Sequence, residues 1–396
     1  MSLGVSADAV SKWERGVICP NLEQLKGLCE ILQIPASKLY FGITDTRQTE
    51  PPVRIRRKKP IPMLVFFAAL LFCAGAVIGD SAFYNCSGLT SITIPDSVTN
   101  IGDSAFYGCS GLRTITIGNG VTNIREKAFS ACSNLKSITV SPDNLMYHSN
   151  GNCLIRTSDK TLVLGCSNSV IPSDGSVTAI GNGAFYGCSK LNSLTIPDSV
   201  TSIGNEAFYN CFGLANITVS QNNPVYHSEG NCLIRTSDKT LALGCSNSVI
   251  PSDGSVSAIG DGAFYGCYYL TSITIPATVW TIGYEAFYNC SGLTSITVSP
   301  DNPVYHSEGN CLIRTADKTL ILGCSNSVIP SDGSVSIIGE AAFCGRNLDT
   351  IAIPDRMPSG LSGIFSIADK IFIPLSFRCF LCITISNLLR ENLSNL

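Results

Sequence analysis

All three histidines of this 396-residue chain, His148, His227 and His306, are followed by a PSDGS aspartate, Asp174, Asp253 or Asp332, 26 residues later. Histidine is a general base near neutral pH and a common metal ligand, so such a set raises zinc binding or acid–base catalysis. The spacing argues against both. Successive members of each set recur at one constant, long interval in nearly identical surroundings. If those residues form three coils of a stacked array, neighbouring histidines stand about 14 Å apart at ~4.8 Å per coil. A zinc ion holds its ligands at about 2.0–2.3 Å. No acid, base and nucleophile meet in one stretch, and the glycines mark turns rather than a phosphate-cradling loop. The expectation is a protein without a catalytic centre, metal or cofactor.

The nineteen cysteines divide by position. Cys86, Cys109, Cys132, Cys188, Cys211, Cys267 and Cys290 each follow a phenylalanine by three positions. They read as small apolar interior groups, with bridges between adjacent coils as the alternative. Cys153 and Cys166, Cys232 and Cys245, and Cys311 and Cys324 flank a segment of the form CLIRTSDKTLVLGC. Two apolar runs around Asp159-Lys160 read as a β-hairpin. Symmetric pairing places Cys153 opposite Cys166, Ile155 opposite Leu164 and Thr157 opposite Leu162. A disulfide in each hairpin and a pair of reduced thiols are both compatible with this reading.

The elements carrying these residues are repeats. Marker phenylalanines fall at 83, 106 and 129, then at 185, 208, 264, 287 and 343. The short step, as from 83 to 106, is 23; the long step, as from 129 to 185, is 56. One of each makes a large unit of 79, copied in tandem from Phe106 to Phe185, Phe264 and Phe343. In one short unit the apolar positions are Ala82, Phe83, Cys86, Leu89, Ile92, Ile94, Val98 and Ile101. SITI and SVTNI alternate like strands, with Pro95-Asp96 as a turn between them. So short a unit cannot bury enough to offset its own ordering entropy, so units must stack.

The stretch AFYNCSGLTSITIPDSVTNIG and its recurrences resemble the BspA-like leucine-rich repeats of bacterial surface proteins, from about residue 78 to 353. The resemblance implies a mainly β leucine-rich-repeat solenoid of short parallel strands and an association with adhesion to host cells, matrix or other microbes. On such an array Thr93, Thr116, Thr139, Thr195, Thr218, Thr274 and Thr297 face outward in a column. Tyr84, Tyr107, Tyr186, Tyr209, Tyr265 and Tyr288, beside the core phenylalanines, are expected to face outward as rigid amphipathic contact groups.

The head is different. AVSKWERG, PNLEQLKGLCEILQI and SKLYFG resemble the helix-turn-helix of lambda-repressor-type bacterial regulators. The resemblance implies that Ala7, Asp8, Ser11 and Lys12 touch base edges, with Trp13 in the core. The family's first helix and most of its second precede this pattern and are absent, and Asp8 opposes phosphate approach. Residues 1–79 hold ten Lys/Arg against six Asp/Glu, whereas residues 80–396 hold sixteen against twenty-three. A basic head on an acidic body does not suggest a nucleic-acid-binding body.

Between them, Ile61 to Gly79 contains no charge and follows Arg54–Lys59, five of whose six residues are basic. Nineteen helical residues span about 28 Å, close to the ~30 Å hydrocarbon core, and basic flanks favour the cytoplasmic side. The reading is a single transmembrane helix with the N-terminus inside. Cleavage near Ala74-Gly75-Ala76 and a buried soluble helix are the alternatives.

The expected order is a truncated helix-turn-helix (1–45), a basic linker (46–60), a span (61–79), the solenoid (80–365) and a cap or irregular tail (366–396). The function expected is binding of a protein or glycan at the cell exterior. The alternatives are a membrane-tethered transcription regulator with an outside sensor, contacting DNA through its head, and a structural spacer with no ligand.

Overall fold

The computed structural model describes residues 75–339 and 341–345. The helix-turn-helix segment with Ala7, Asp8, Ser11 and Lys12, the basic linker and the C-terminal tail lie outside the described residues. The described residues form two compact units. The first holds residues 75–190 and 202–208, and the second holds 191–201, 209–339 and 341–345.

In the first unit the chain alternates between two parallel ladders. One joins β1 (Ala76–Ile78), β3 (Val98–Ile101) and β5 (Asn123–Ile124); the other joins β2 (Ser91–Ile94), β4 (Thr114–Ile117) and β6 (Ser137–Val140). The second ladder is in register at one short repeat, with Ile92 beside Ile115 and Ile115 beside Ile138. The β-branched alternation of SITI explains it: isoleucines turn inward and Ser and Thr outward. Between ladders, the Asp96 carboxylate accepts the Asn119 N–H at 2.8 Å, tying each turn to the next coil.

At the opposite corner Phe83 N–H donates to Ala105 and Phe106 N–H to Ala128, both at 2.7 Å. This pairing stacks the marker rings. Phe83, Phe106 and Phe129 lie face over face at 4.9 Å with 1° between planes. They join Leu89, Ile94, Leu112 and Ile117 in one buried core.

β1 draws residues 76–78 of the uncharged stretch 61–79 into this array. The rest of that stretch, residues 61–74, lies outside the described residues. Among the described residues no helix is long and apolar enough to cross a membrane.

The long turn holds three strands rather than one hairpin. β7 (Tyr147–Asn150), β8 (Cys153–Arg156) and β9 (Thr161–Leu164) form an antiparallel meander, and β9 then pairs in parallel with β10 (Ala179–Ile180). Gly151 and Asn152 sit at φ 58° each between Asn150 and Cys153, the left-handed pair that a two-residue hairpin turn requires.

The register of β8 with β9 corrects the symmetric pairing. Ile155 faces Leu162, Arg156 faces Thr161 and Leu154 faces Leu164, with a bulge between Leu154 and Ile155. The turn is centred one residue nearer the N-terminus than the apolar pattern implies, with residues 157–160 as a four-residue loop in which the Asp159 carboxylate accepts the Thr161 N–H and the Arg156 guanidinium. The bulge then absorbs the extra residue. Cys153 and Cys166 therefore do not face each other across the ladder. Cys153 Sγ points to the carbonyls of Gly151 and Val170, and Cys166 Sγ to that of Asn152. None of the fourteen described cysteines is in a disulfide.

Asn144 fastens the meander to the coil before it. Its Nδ2 donates to the Gly118 and Val121 carbonyls at 2.7 and 3.1 Å, and its Oδ1 accepts the Met146 and Tyr147 N–H groups. Asn223 and Asn302 make the same four bonds in the second unit. Asn144 is buried. Its replacement by alanine orphans several backbone groups at once, and about 2–4 kcal/mol of stability is expected to go with them. Denaturant titration of Asn144→Ala followed by tyrosine fluorescence measures this loss.

The second unit repeats these parts. Ser193–Ile196 pairs with Asn216–Val219, and Ser272–Ile275 with Ser295–Val298, both in parallel. Two further meanders, from Tyr226 and from Tyr305, run into Ala258–Ile259 and Ile337–Ile338. Each unit is a mainly β solenoid.

Candidate binding surface

The alternation that turns isoleucine inward leaves a hydroxyl-bearing face on the same strands. In the first unit it carries Ser91, Thr93, Thr114, Thr116, Ser137 and Thr139, all exposed or half-buried and none charged. The threonines are in register as expected, Thr93 beside Thr116 beside Thr139. Their hydroxyls are partly engaged by one another. Thr139 Oγ1 donates to Thr116 Oγ1 at 3.0 Å and lies 3.2 Å from the Ile115 carbonyl. In the second unit Thr195 pairs with Thr218 at 2.9 Å and Thr274 with Thr297 at 2.8 Å. Such a face offers methyl groups and remaining lone pairs to a ligand, and no activated nucleophile.

The tyrosines are less available than their place in the repeat implies. Tyr84 is 45% exposed, but Tyr107, Tyr186, Tyr209, Tyr265 and Tyr288 are half-buried. Each coil's ring covers its neighbour's. Tyr84 stacks on Tyr107 at 5.2 Å, Tyr209 on Tyr265 at 4.1 Å and Tyr265 on Tyr288 at 5.0 Å. At residue 130 the column has serine, and Tyr107 leans across to Tyr186 at 6.1 Å and 49°. Burial, and then the hydrogen bond that the Tyr107 O–H donates to the Tyr186 side chain, push the Tyr107 phenol well above its ordinary pKa. Lys127 Nζ sits 5.4 Å over the Tyr186 ring and pairs with Glu206 at 2.7 Å.

The most accessible aromatic surface lies elsewhere. Tyr269, Trp280 and Tyr284 in the second unit are 69%, 57% and 61% exposed. They stand where the first coil has Gly88, Thr99 and Asp103. Their signal in the sequence is departure from the repeat, which a search for regular columns passes over.

The remaining candidates are local pairs. Each histidine shares a hydrogen bond with the threonine just past the end of the next strand: His148 with Thr157 at 3.1 Å, and His227 with Thr236 and His306 with Thr315 at 2.9 Å. The PSDGS aspartates hold their own turns, Asp174 accepting the Ser176 N–H, Asp253 that of Ser255 and Asp332 that of Ser334, all at 2.9 Å. A cleft of about 340 Å³ opens between β5 and β9–β10 beside Arg125, Lys127 and Arg156. Lys127 and Arg156 are already paired, with Glu206 and Asp159.

At the hairpin tips, Arg314 grips Asp317 through Nη2 at 2.6 Å and Nε at 3.0 Å. That grip pulls the Asp317 carboxyl down to about 2. A folded-state value below the unfolded value of about 3.9 means that the ion pair stabilises above that pH and is lost as pH falls. Asp317 is expected to titrate near 2 by carbon NMR, and Arg314→Ala is expected to move its midpoint up towards the ordinary aspartate value.

Comparison with known proteins agrees with this architecture. The BspA type leucine rich repeat region model matches residues 75–174, 159–231, 239–313 and 318–378. A helix-turn-helix model matches residues 2–39. No curated protein matches the chain. Among solved structures, a leucine rich cell surface protein from Faecalibacterium prausnitzii is 28% identical, covering 71% of this chain and 77% of that one, with a TM-score of 0.42. A leucine-rich repeat protein from Eubacterium ventriosum is 24% identical over 72% of this chain and 71% of that one, with a TM-score of 0.39. With the family model covering well over half of its residues in the same repeats that build the two solenoid units, the chain belongs to the BspA-type leucine-rich-repeat family.

Proposed function

We propose that this is a non-enzymatic cell-surface protein whose repeats bind a protein or glycan. The observation that carries the reading is the outward face of the parallel strands, where Ser91, Thr93, Thr114, Thr116, Ser137 and Thr139 present hydroxyls and methyls without a charge. Such a face suits broad, shallow contact with a partner rich in hydroxyl or amide groups. Tyr84 and, in the second unit, Tyr269, Trp280 and Tyr284 supply exposed aromatic contacts of the kind that dominate binding energy.

In this reading residues 61–75 anchor the chain, with the N-terminus cytoplasmic. Arg54–Lys59 extend into the headgroups to make up for a short span. Two experiments test it. Protease treatment of intact cells is expected to remove residues 80–396; complete protection sinks the surface location. Binding to panels of immobilised glycans and matrix proteins is expected to weaken at least about tenfold in Thr93→Lys/Thr116→Lys, since a lysine pair in a desolvated uncharged contact is costly.

The helix-turn-helix match over residues 2–39 favours a second reading, a membrane-tethered regulator that reads DNA with Ala7, Asp8, Ser11 and Lys12. Chromatin immunoprecipitation with a tagged chain separates the two. Enrichment at discrete sites, abolished by Lys12→Ala, supports the regulator; uniform background rejects it.

A further inference from the structure

Cys86, Cys109 and Cys132 occupy one position in three successive coils of the first unit, each a short repeat after the last. The corner backbone around them is paired in register: Asn85 N–H donates to the Tyr107 carbonyl at 2.7 Å and Gly108 N–H to that of Ser130 at 2.9 Å. In-register coils lie ~4.8 Å apart, within the ~4.4–6.8 Å Cα separation that a disulfide tolerates. The Cys109 and Cys132 side chains adopt one orientation. Cys109 Sγ donates to the Phe83 carbonyl at 3.1 Å, and Cys132 Sγ to that of Phe106 at 3.3 Å, each reaching back into the preceding coil.

The Cys109 and Cys132 thiols lie against each other, and on ionisation of Cys109 the Cys132 S–H can turn from the Phe106 carbonyl to the new thiolate. That contact lowers the Cys109 pKa, and the same contact and burial raise that of Cys132. Cys109, standing between the other two, is the thiol placed to act next after Cys86. Access is graded along the same line: Cys86 is half-buried, whereas Cys109 and Cys132 are buried.

We propose that this column is a thiol–disulfide exchange site, which takes up a small disulfide such as oxidised glutathione at Cys86 and passes the oxidation inward to a Cys109–Cys132 bridge between coils. The Cys86 thiolate attacks the disulfide, forming a mixed disulfide and releasing one glutathione thiolate. The Cys109 thiolate then attacks the Cys86 sulfur and expels the second glutathione. Cys132, giving up its proton, attacks the Cys109 sulfur and expels Cys86 as a thiolate, which is protonated. Two protein thiols are oxidised and one disulfide is reduced to two thiols. A stacked column places attacked, attacking and leaving sulfurs in line, as displacement at sulfur requires. Cys86 cannot reach Cys132 directly, because two coils separate them by about 9–10 Å.

The test uses the full chain, reduced and then exposed to oxidised glutathione. Samples are acid-quenched, alkylated and mapped by mass spectrometry. The expected order is a Cys86–glutathione adduct, followed by a linked Cys109–Cys132 peptide pair. Cys86→Ser is expected to slow the link at least about tenfold, because the buried thiols lose their attacking neighbour. Cys109→Ser is expected to trap the adduct at Cys86 while Cys132 stays reduced. Selective alkylation of Cys86 in the wild-type chain repeats the block without a substitution. A persistent Cys86 adduct beside reduced Cys109 and Cys132 overturns the proposal, and so does a link that forms at the wild-type rate when Cys86 is absent or alkylated.

Discussion

Replacement of Phe106 by alanine is expected to destabilise the first unit by about 3–5 kcal/mol, the range for a fully buried aromatic cut to a methyl group. Phe106 has no exposed surface. Its ring is the middle one of three, stacked at 4.9 Å on both Phe83 and Phe129. The cavity therefore opens between two rings held apart by backbone bonds, Phe83 N–H to Ala105 and Phe106 N–H to Ala128. Neither neighbour can collapse into the gap without breaking corner pairing. Phe106→Leu refills much of the volume but none of the stacking and is expected to cost about half as much. Urea titration followed by circular dichroism compares the two. Equal, sub-kilocalorie losses in both would mean that the ring column does not hold adjacent coils together.

The second large effect is expected from adding a single carbon. A Cβ on Gly165 would run into Cε1 and Cζ of Phe185. The ring lies flat against bare backbone, which is why the LGC segment carries glycine before its cysteine. Phe185 is buried and stacked on Phe208 at 5.3 Å, so it has nowhere to retreat. Gly165→Ala is expected to cost about 3 kcal/mol, the upper end for overpacking a filled interior. A double-mutant cycle isolates the cause. Phe185→Leu, destabilising alone, should be less harmful in the alanine background, with a coupling of about 1–2 kcal/mol. Strict additivity would show that the glycine matters for backbone freedom instead. Gly244 against Phe264 repeats the arrangement in the second unit.

The coil length, the inward isoleucines and the marker phenylalanines were legible because each depends on one residue and its copy one repeat on. The third strand of the meander was not read, although Tyr147-His148-Ser149-Asn150 followed by Gly151-Asn152 carries a two-residue turn signal. Its polar alternation offers no apolar stripe, because Tyr147 alone turns fully inward. The hairpin register failed for another reason. A bulge is set by local bonds of Asp159, and apolar symmetry does not report them. Asn144 escaped notice because its four partners come from Gly118, Val121, Met146 and Tyr147, two of them in the preceding coil. On the candidate surface, the threonine face follows from strand alternation. The tyrosine column was overstated because exposure was reasoned for one coil, while stacking closes each ring with the next.

The long turn leaves the frame after β6, and the corner closes over it with Ala131 N–H donating to the Tyr186 carbonyl at 2.8 Å, the same bond that Asn85 makes to Tyr107 one ordinary coil later. The scaffold thus behaves like a spliced rope, in which the corner closes over the added cord and the cord itself supplies the next strand of the lay, β9 beside β10. A meander exchanged at that junction must bring its own rung for β10 and its own bare backbone for the following phenylalanine, as Gly165 does for Phe185. Diversification of such a chain is therefore cheapest by swapping cassettes, with point changes confined to what each cassette displays.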